Sequence, residues 1–190
     1  MATPSLLAIT PGDGRDLAPW VRALGEAGLP AILVREPSLA DAELRQLARL
    51  AARWVPQVIV HDRHPAARDL GLPVHLPDDG RSPPATAFTA SCHDEAGMNE
   101  RLRQGARFVL LSPVWSPTSK PDDGREAMGH QAFLALADGR PVLALGGLDA
   151  TRHRALMRAG AAGGAVLGDL FGQPSPAAAA ERLAAYSIGE

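Results

Sequence analysis

Cysteine is almost missing from this chain of 190 residues, because Cys92 is the only one. A single thiol excludes an intramolecular disulfide framework and also a zinc site built from several cysteines. Chains with so little cysteine are typical of reducing compartments. We therefore expect a cytoplasmic protein.

Long hydrophobic runs and a dominant charge are lacking as well. No uncharged stretch reaches the roughly 18 residues that a membrane-spanning helix needs, and the first ten residues show no basic start of a secretion signal. The 19 basic and 21 acidic residues leave a formal net charge of −2, with no basic stripe. We expect neither a membrane nor a nucleic acid as partner, and we look for a ligand pocket instead.

Short apolar runs alternate along the chain with longer segments of helical period, a pattern typical of βα units around a parallel sheet. Strands are predicted at residues 6–9, 31–34, 58–60, 73–76, 87–91, 108–111, 142–145 and 164–167. Helices are predicted at residues 17–27, 39–54, 94–104, 130–137, 150–159 and 176–186. Eight such strands close into a barrel, so residues 1–190 are predicted to form one compact (β/α)₈ TIM barrel domain.

Local signals refine this α/β prediction. Residues 77–86, the fourth crossover, are few and rich in proline, so its helix is predicted to be short or missing. Ser38 and Asp149 are predicted N-caps. Three glycines are predicted at left-handed positions after helices, and these are Gly28, Gly105 and Gly160.

Polar residues gather where the predicted strands end, which in a barrel is the open mouth. They are Thr10, Arg35, Glu36, His61, Asp62, Arg63, His75, Ser91, His93 and Ser112. Any one of them is explained by the end of a strand. Together, three histidines and two arginines predict a mouth that attracts anions, because arginine binds phosphate oxygens in pairs.

Glycines follow the last two strands. Gly146 and Gly147 come after the seventh predicted strand, and Gly168 comes after the eighth. Backbone N–H groups at these two loops of a barrel are a frequent phosphate site, although tight turning also favours glycine. The loop at residues 112–121 adds Thr118, Ser119 and Lys120, which suit either closure over a ligand or a proline-stiffened surface loop.

Several motifs carry a resemblance to a known family. Residues 112–120, S-P-V-W-S-P-T-S-K, followed by Gly129, are similar to that family's G-P-[IV]-[FY]-x-T-x-T/S-K loop. Residues 144–148 (A-L-G-G-L) and 160–166 (G-A-A-G-G-A-V) are similar to A-I-G-G-I and G-A-x-G-V-A-V, and V-H-L and S-C-H recur at residues 74–76 and 91–93. The chain thus resembles the thiamine phosphate synthase and TenI barrels along nearly its whole length.

The resemblance implies a protein of thiamine biosynthesis, and dimers of this chain. In the synthase, a pyrimidine methyl diphosphate loses its diphosphate with the help of Mg²⁺, and a thiazole nitrogen captures the resulting cation. Substrate and phosphate binding are assigned to Arg35, Arg63, Ser91, Thr118, Ser119, Lys120, Gly146, Gly147 and Gly168. Asp62 is the predicted magnesium ligand. The catalytic candidates are His61, Asp62, His75 and His93.

Some family positions differ in this chain. Residues 33–37 read L-V-R-E-P where the family has Q-x-R-x-K, and Gly80 stands at a second magnesium aspartate, with Asp78 and Asp79 out of register. One lost lysine and one lost carboxylate are worth about 3 to 6 kcal/mol. That corresponds to about a hundredfold to ten-thousandfold in rate.

These differences leave several functions open. Pro113 replaces the histidine with which TenI moves a proton, so a tautomerase would need another acid or base among the three histidines at the mouth. There are two alternatives to a divergent synthase or TenI-like enzyme. One is a noncatalytic sensor or partner protein that keeps the phosphate pocket. The other is a phosphosugar isomerase that uses His61 and Asp62 as acid and base.

Overall fold

The structure is a computed structural model that describes residues 1–116 and 126–187. Strands occur at β1 (Leu6–Ile9), β2 (Ala31–Val34), β3 (Gln57–His61), β4 (Val74–Leu76), β5 (Phe88–Cys92), β6 (Val109–Leu111), β7 (Val142–Ala144) and β8 (Gly163–Val166). Helices occur at α1 (Ala18–Glu26), α2 (Asp41–Trp54), α3 (Glu95–Arg103), α4 (His130–Ala137), α5 (Ala150–Arg158), α6 (Gly168–Phe171) and α7 (Pro176–Ala184). A 3₁₀ helix spans Pro65–Leu70.

All strand pairs are parallel, and the strands follow one another in chain order around a closed barrel. Closure comes from β1 and β8, which pair with Leu6 opposite Gly164 and Ala8 opposite Val166. The predicted eight-stranded βα barrel is therefore confirmed. None of the helices formed by residues 1–116 and 126–187 is long and apolar enough to span a membrane.

The core has two layers, because successive strand residues point to opposite faces. Inside the barrel lie Leu7, Ile9, Ala31, Leu33, Ile59, Phe108, Leu110, Leu143 and Ala165. The larger layer packs between the strands and the helices, and its bulkiest members include Leu24, Ile32, Met98, Phe133 and Phe171. The filled interior seals the bottom of the barrel, so a ligand can enter only near the ends of the strands.

Most local predictions hold. The fourth crossover has no helix between residues 77 and 87, and Gly28, Gly105 and Gly160 all have a left-handed φ. Asp149 caps α5 by accepting the Arg152 N–H at 2.8 Å. The Ser38 prediction was wrong, because the N-cap of α2 is Ala40, two residues later, whose backbone N–H donates to Glu43 Oε2 at 2.9 Å.

A substitution at Gly163 tests how closely β8 approaches the residues before β1, where the barrel closes. A Cβ at this position would lie 2.4 Å from the Pro4 carbonyl oxygen and 2.6 Å from that of Ser5. We expect Gly163→Ala to lower the free energy of unfolding by about 2 to 3 kcal/mol, because backbone atoms would have to move. Urea unfolding measures it. Gly168→Ala is the control, since a Cβ there meets nothing within 4 Å; equal stability of the two variants would contradict the close approach.

Candidate active site

A cavity of about 490 Å³ opens at the carboxyl ends of the strands. Seven predicted site residues line it, and they are Arg35, His61, His75, Ser91, Gly146, Gly147 and Gly168. Its floor is apolar and includes Ile9, Leu33, Leu110, Leu145 and Ala165. The predicted Thr118, Ser119 and Lys120 lie outside the described residues. Three further candidates, Asp62, His93 and the exposed Arg63, do not line this cavity.

His75 lies in the barrel interior and is almost fully buried. Its Nδ1 is 2.8 Å from Thr89 Oγ1, and its Nε2 is 2.9 Å from Ser91 Oγ. Burial, and to a lesser extent the neighbouring His61, lower the pKa of His75 well below its usual value. The ring is therefore neutral, and it positions the Ser91 hydroxyl in the cavity wall rather than exchanging protons with a ligand.

His61 stands above His75, with the two ring centres 5.4 Å apart. Its Nδ1 accepts the Arg63 backbone N–H at 3.2 Å, which leaves Nε2 as the protonated nitrogen of the neutral ring. Burial, followed by the positive charges of Arg35 and Arg63, lowers the pKa of His61 to about 4. Near pH 7 this side chain is therefore a neutral N–H donor at the edge of the cavity.

His93 lies at the rim, outside the described cavity lining. Its Nδ1 is 2.7 Å from the Ser112 carbonyl oxygen, so this nitrogen must carry a proton and donate it. Its Nε2 faces Asp78 Oδ2 at 3.9 Å. Ser112 lines the cavity, so His93 contacts the cavity wall through this residue without lining the cavity itself.

Asp62 is buried beside the mouth, and both of its oxygens are engaged by arginine. Oδ1 accepts Arg68 Nε at 2.7 Å, and Oδ2 accepts Arg68 Nη2 at 2.8 Å and Arg81 Nη1 at 3.4 Å. Burial opposes ionisation of Asp62, but the hydrogen bonds and charges of these arginines outweigh it and hold its pKa below the usual value. The predicted magnesium carboxylate is thus an ionised anchor for two guanidinium groups.

The surroundings of Asp62 do not fit a magnesium ion. A divalent cation would have to displace two guanidinium groups from the carboxylate and then lie beside their charges. Gly80 supplies no side chain at the second family position. Within residues 1–116 and 126–187 there is no group of three or more His, Cys, Asp or Glu side chains that could hold a metal.

The glycines after β7 are required by close packing against the loop after β6. Gly146 and Gly147 have φ values of 99° and 59°. A Cβ on Gly147 would lie 2.7 Å from the Ser116 carbonyl oxygen, and one on Gly146 would lie 3.0 Å from that of Trp115. Trp115 N–H in turn donates to the Gly146 oxygen at 3.2 Å. The two loops therefore form one wall of the cavity.

Gly168 has a different role, because a Cβ there would point into open space. It begins α6 at the end of β8 and lines the cavity. Its neighbour Asp169 also lines the cavity, and its carboxylate accepts Arg182 Nε at 2.8 Å and the Tyr186 hydroxyl at 2.6 Å. Gly168 thus leaves room for a ligand where a side chain would fill it.

Arg152 is a cavity residue that the sequence analysis missed. It lies in the first turn of α5, donates through Nη1 to the Gly147 oxygen, and stacks over the Trp115 ring at 5.2 Å. The available signal was its position three residues after the N-cap Asp149, directly behind the glycine turn. It adds a positive charge to the glycine side of the mouth.

Comparison with known proteins agrees with this geometry. A family model described as thiamine monophosphate synthase matches residues 6–170. The chain belongs to this family. The thiamine-phosphate synthase of Halorhodospira halophila is 31% identical over 185 residues, which cover 90% of this chain and 88% of that protein. The resemblance inferred from the motifs is confirmed, and with it a place in thiamine biosynthesis.

Solved structures confirm the fold of this family member. The thiamine phosphate pyrophosphorylase of Pyrococcus furiosus superposes with a TM-score of 0.78 at 21% identity, covering 96% of this chain and 95% of that one. A 3-hexulose-6-phosphate synthase superposes with a TM-score of 0.66 at 17% identity, covering 97% and 100%. Because barrels of different chemistry share this architecture, the fold alone does not identify the reaction, and the residues of the cavity carry that information.

The depressed pKa of His61 predicts how stability depends on pH. Its pKa is about 4 in the folded chain and 6.5 as the unperturbed value, so the unfolded chain takes up more protons below pH 6.5. Stability contributed by His61 is complete above that pH and is lost as the pH falls toward 4. The loss near pH 5 is about 2 kcal/mol.

Urea unfolding at pH 7.5 and pH 5 measures this effect. We expect His61→Gln to lose about 2 kcal/mol less than the wild type between these pH values, because glutamine takes up no proton. The exposed His130 provides the control, and His130→Gln should follow the wild type. Equal losses in wild type and His61→Gln would show that His61 is not held neutral.

Proposed function

We propose that this chain is a cytoplasmic thiamine-phosphate synthase that binds thiazole phosphate in the cavity at the barrel mouth. The observation that supports this most directly is the composition of the cavity wall. Glycines at two neighbouring loops lie on one side, and an apolar floor lies beneath them. The volume of about 490 Å³ is in the range of small-ligand sites.

The phosphate is placed against Gly146, Gly147 and Gly168. Glycine lets phosphate oxygens approach backbone N–H groups closely, and loops after strands seven and eight are where barrels often bind phosphate. Arg152 adds a charge on this side that can be shared with the phosphate. The thiazole ring then rests on the apolar floor, where Leu33 and Leu110 offer aliphatic surface.

The reaction joins this thiazole to a pyrimidine methyl diphosphate. The C–O bond to the diphosphate breaks, the diphosphate leaves with the electron pair, and the thiazole nitrogen forms the new C–N bond to the methylene carbon. No proton is gained or lost. The protein therefore needs to position two ligands and stabilise charge. We place the diphosphate beside Arg35 and His61, which both line the cavity.

The bonding of Asp62 and the pKa of His61 bear on the two other functions. The pairing of Asp62 with two arginines favours a noncatalytic sensor or partner protein as the second candidate, because the family's magnesium carboxylate is not available. A phosphosugar isomerase is poorly supported. Its proposed acid and base would be His61, with a pKa of about 4, and an Asp62 whose oxygens are already bonded.

We expect no nucleic acid or membrane partner, and a homodimer in solution. The formal net charge of −2 gives no overall excess of positive charge to attract a polyanionic chain. The dimer rests on the family resemblance, and sedimentation at several protein concentrations checks it.

Calorimetric titration with thiazole phosphate tests the proposed site. We expect saturable binding by the wild type and at least about tenfold weaker binding by Gly168→Val, because a side chain there would occupy ligand space without clashing with the protein. Ala177→Val, an exposed substitution on α7, is the matched control and should bind like the wild type. Absence of binding by the wild type would contradict the proposal.

Turnover separates the two candidates. Adding the pyrimidine diphosphate to the protein with thiazole phosphate should yield thiamine phosphate and diphosphate, which chromatography detects. Binding of thiazole phosphate without product would overturn the synthase and leave the noncatalytic protein.

A further inference from the structure

Arg81 is held at the mouth by hydrogen bonds from its side chain and to its backbone. The proposed reaction has no need of these bonds. Its Nε donates to Asp79 Oδ2 at 2.8 Å, and its Nη1 donates to the Asp62 backbone oxygen at 2.8 Å. The carbonyl oxygen of Arg81 accepts Arg101 Nη1 at 2.9 Å. Both ends of this residue are thus fixed, although it lies in a crossover without a helix.

Arg101 explains part of this rigidity. It is buried on α3, 7% exposed, and burying a guanidinium is costly unless its donors are satisfied. One of its donors is used on the Arg81 backbone and on Gln104 Oε1 at 3.1 Å. The buried guanidinium of Arg101 therefore holds the backbone of residue 81 in place.

Arg68 is fixed from the other side. It forms the paired bond to Asp62 described above, and its Nη2 also lies 3.3 Å from the Ser82 carbonyl oxygen. Both arginine side chains remain about two-fifths exposed, at 45% and 41%. Together with Asp62 they border a hollow of about 310 Å³, whose other lining residues are His64, Pro65 and Ser82.

Four arginines lie on this side of the mouth. Arg68 and Arg81 are hydrogen-bonded to the carboxylates of Asp62 and Asp79, Arg35 and Arg63 follow the ends of β2 and β3, and the acidic residues Glu36 and Asp78 follow the ends of β2 and β4. The charges of Arg35, Arg63 and Arg81 all act on His61, so they converge on the edge of the cavity. We call these four arginines the arginine cluster.

We propose that Arg68 and Arg81, seated on Asp62, take the place of a magnesium ion, so that the arginine cluster binds a diphosphate group without a divalent cation. Guanidinium groups bind phosphate oxygens through paired, charge-assisted hydrogen bonds. The source of the diphosphate, either a diphosphate ester substrate or the inorganic diphosphate released from it, rests on the proposed function. The arginine site itself rests only on the hydrogen bonds of Arg68 and Arg81.

Calorimetric titration of the wild type with inorganic diphosphate, in EDTA and in excess magnesium chloride, tests this inference. We expect binding in EDTA that magnesium does not strengthen. A second titration with an organic diphosphate ester in EDTA tells the two sources apart. Tighter binding of the ester identifies the substrate's group, and equal binding identifies the released ion; either result supports the site.

Two variants distinguish a magnesium site from an arginine site. If Asp62 held magnesium, Asp62→Asn would abolish binding; here we expect binding in EDTA to persist within about threefold of the wild type, because removal of a nearby negative charge offsets the looser anchoring of the two arginines. Arg81→Gln should bind diphosphate about tenfold to a hundredfold more weakly. Arg22→Gln, at an exposed position of α1, is the control with the same charge change and should bind like the wild type.

The outcomes that overturn the inference are distinct. Diphosphate binding that requires magnesium and is lost in Asp62→Asn would restore the metal site. No diphosphate binding in either buffer would remove the anion site altogether. Thermal unfolding shows whether Asp62→Asn is folded, and Arg81→Gln tests the same point if it is not. Titrating the same samples with thiazole phosphate shows separately whether the proposed function fails.

Discussion

Closure of the barrel between β1 and β8 is the constraint on which the rest of the structure depends. The strands have only three to five residues, so none would be stable as an unpaired edge, and closure removes every edge. Gly163 and Gly164 allow it, because β8 approaches the residues before β1 so closely that Gly164 N–H donates to the Ser5 oxygen at 3.0 Å. Because all strands are parallel, closure brings every carboxyl end to one rim, which is why residues far apart in sequence share one cavity.

The mouth formed in this way has two chemically different sides. The side after β7 and β8 is built from glycine backbone and leaves space, whereas the side after β2 to β4 carries arginines, of which Arg68 and Arg81 are bonded to carboxylates. Between them, His61 and His75 are kept neutral by burial and by nearby positive charge, so they add hydrogen-bonding groups without adding charge. This arrangement suits two phosphorylated ligands that meet over an apolar floor.

The fold was largely predictable because its signals are local. Apolar runs mark the strands, and Gly28, Gly105 and Gly160 mark helix ends that need a left-handed residue. The state of Asp62 was not predictable, since its partners Arg68 and Arg81 lie 6 and 19 residues away in segments without periodicity. Arg152 was missed for a related reason, because a helix residue reveals contact with another loop only once the barrel has closed.

At this mouth, two arginines anchored on the ionised carboxylate of Asp62 take the place of a metal ion. A crystal structure of the protein soaked with thiazole phosphate, inorganic diphosphate and Mn²⁺ tests it most directly, because manganese is visible by anomalous scattering where magnesium is not. The account predicts thiazole phosphate at Gly146, Gly147 and Gly168, and diphosphate on the arginine cluster with no anomalous peak at Asp62. A manganese peak bonded to Asp62, with Arg68 and Arg81 displaced, would contradict it.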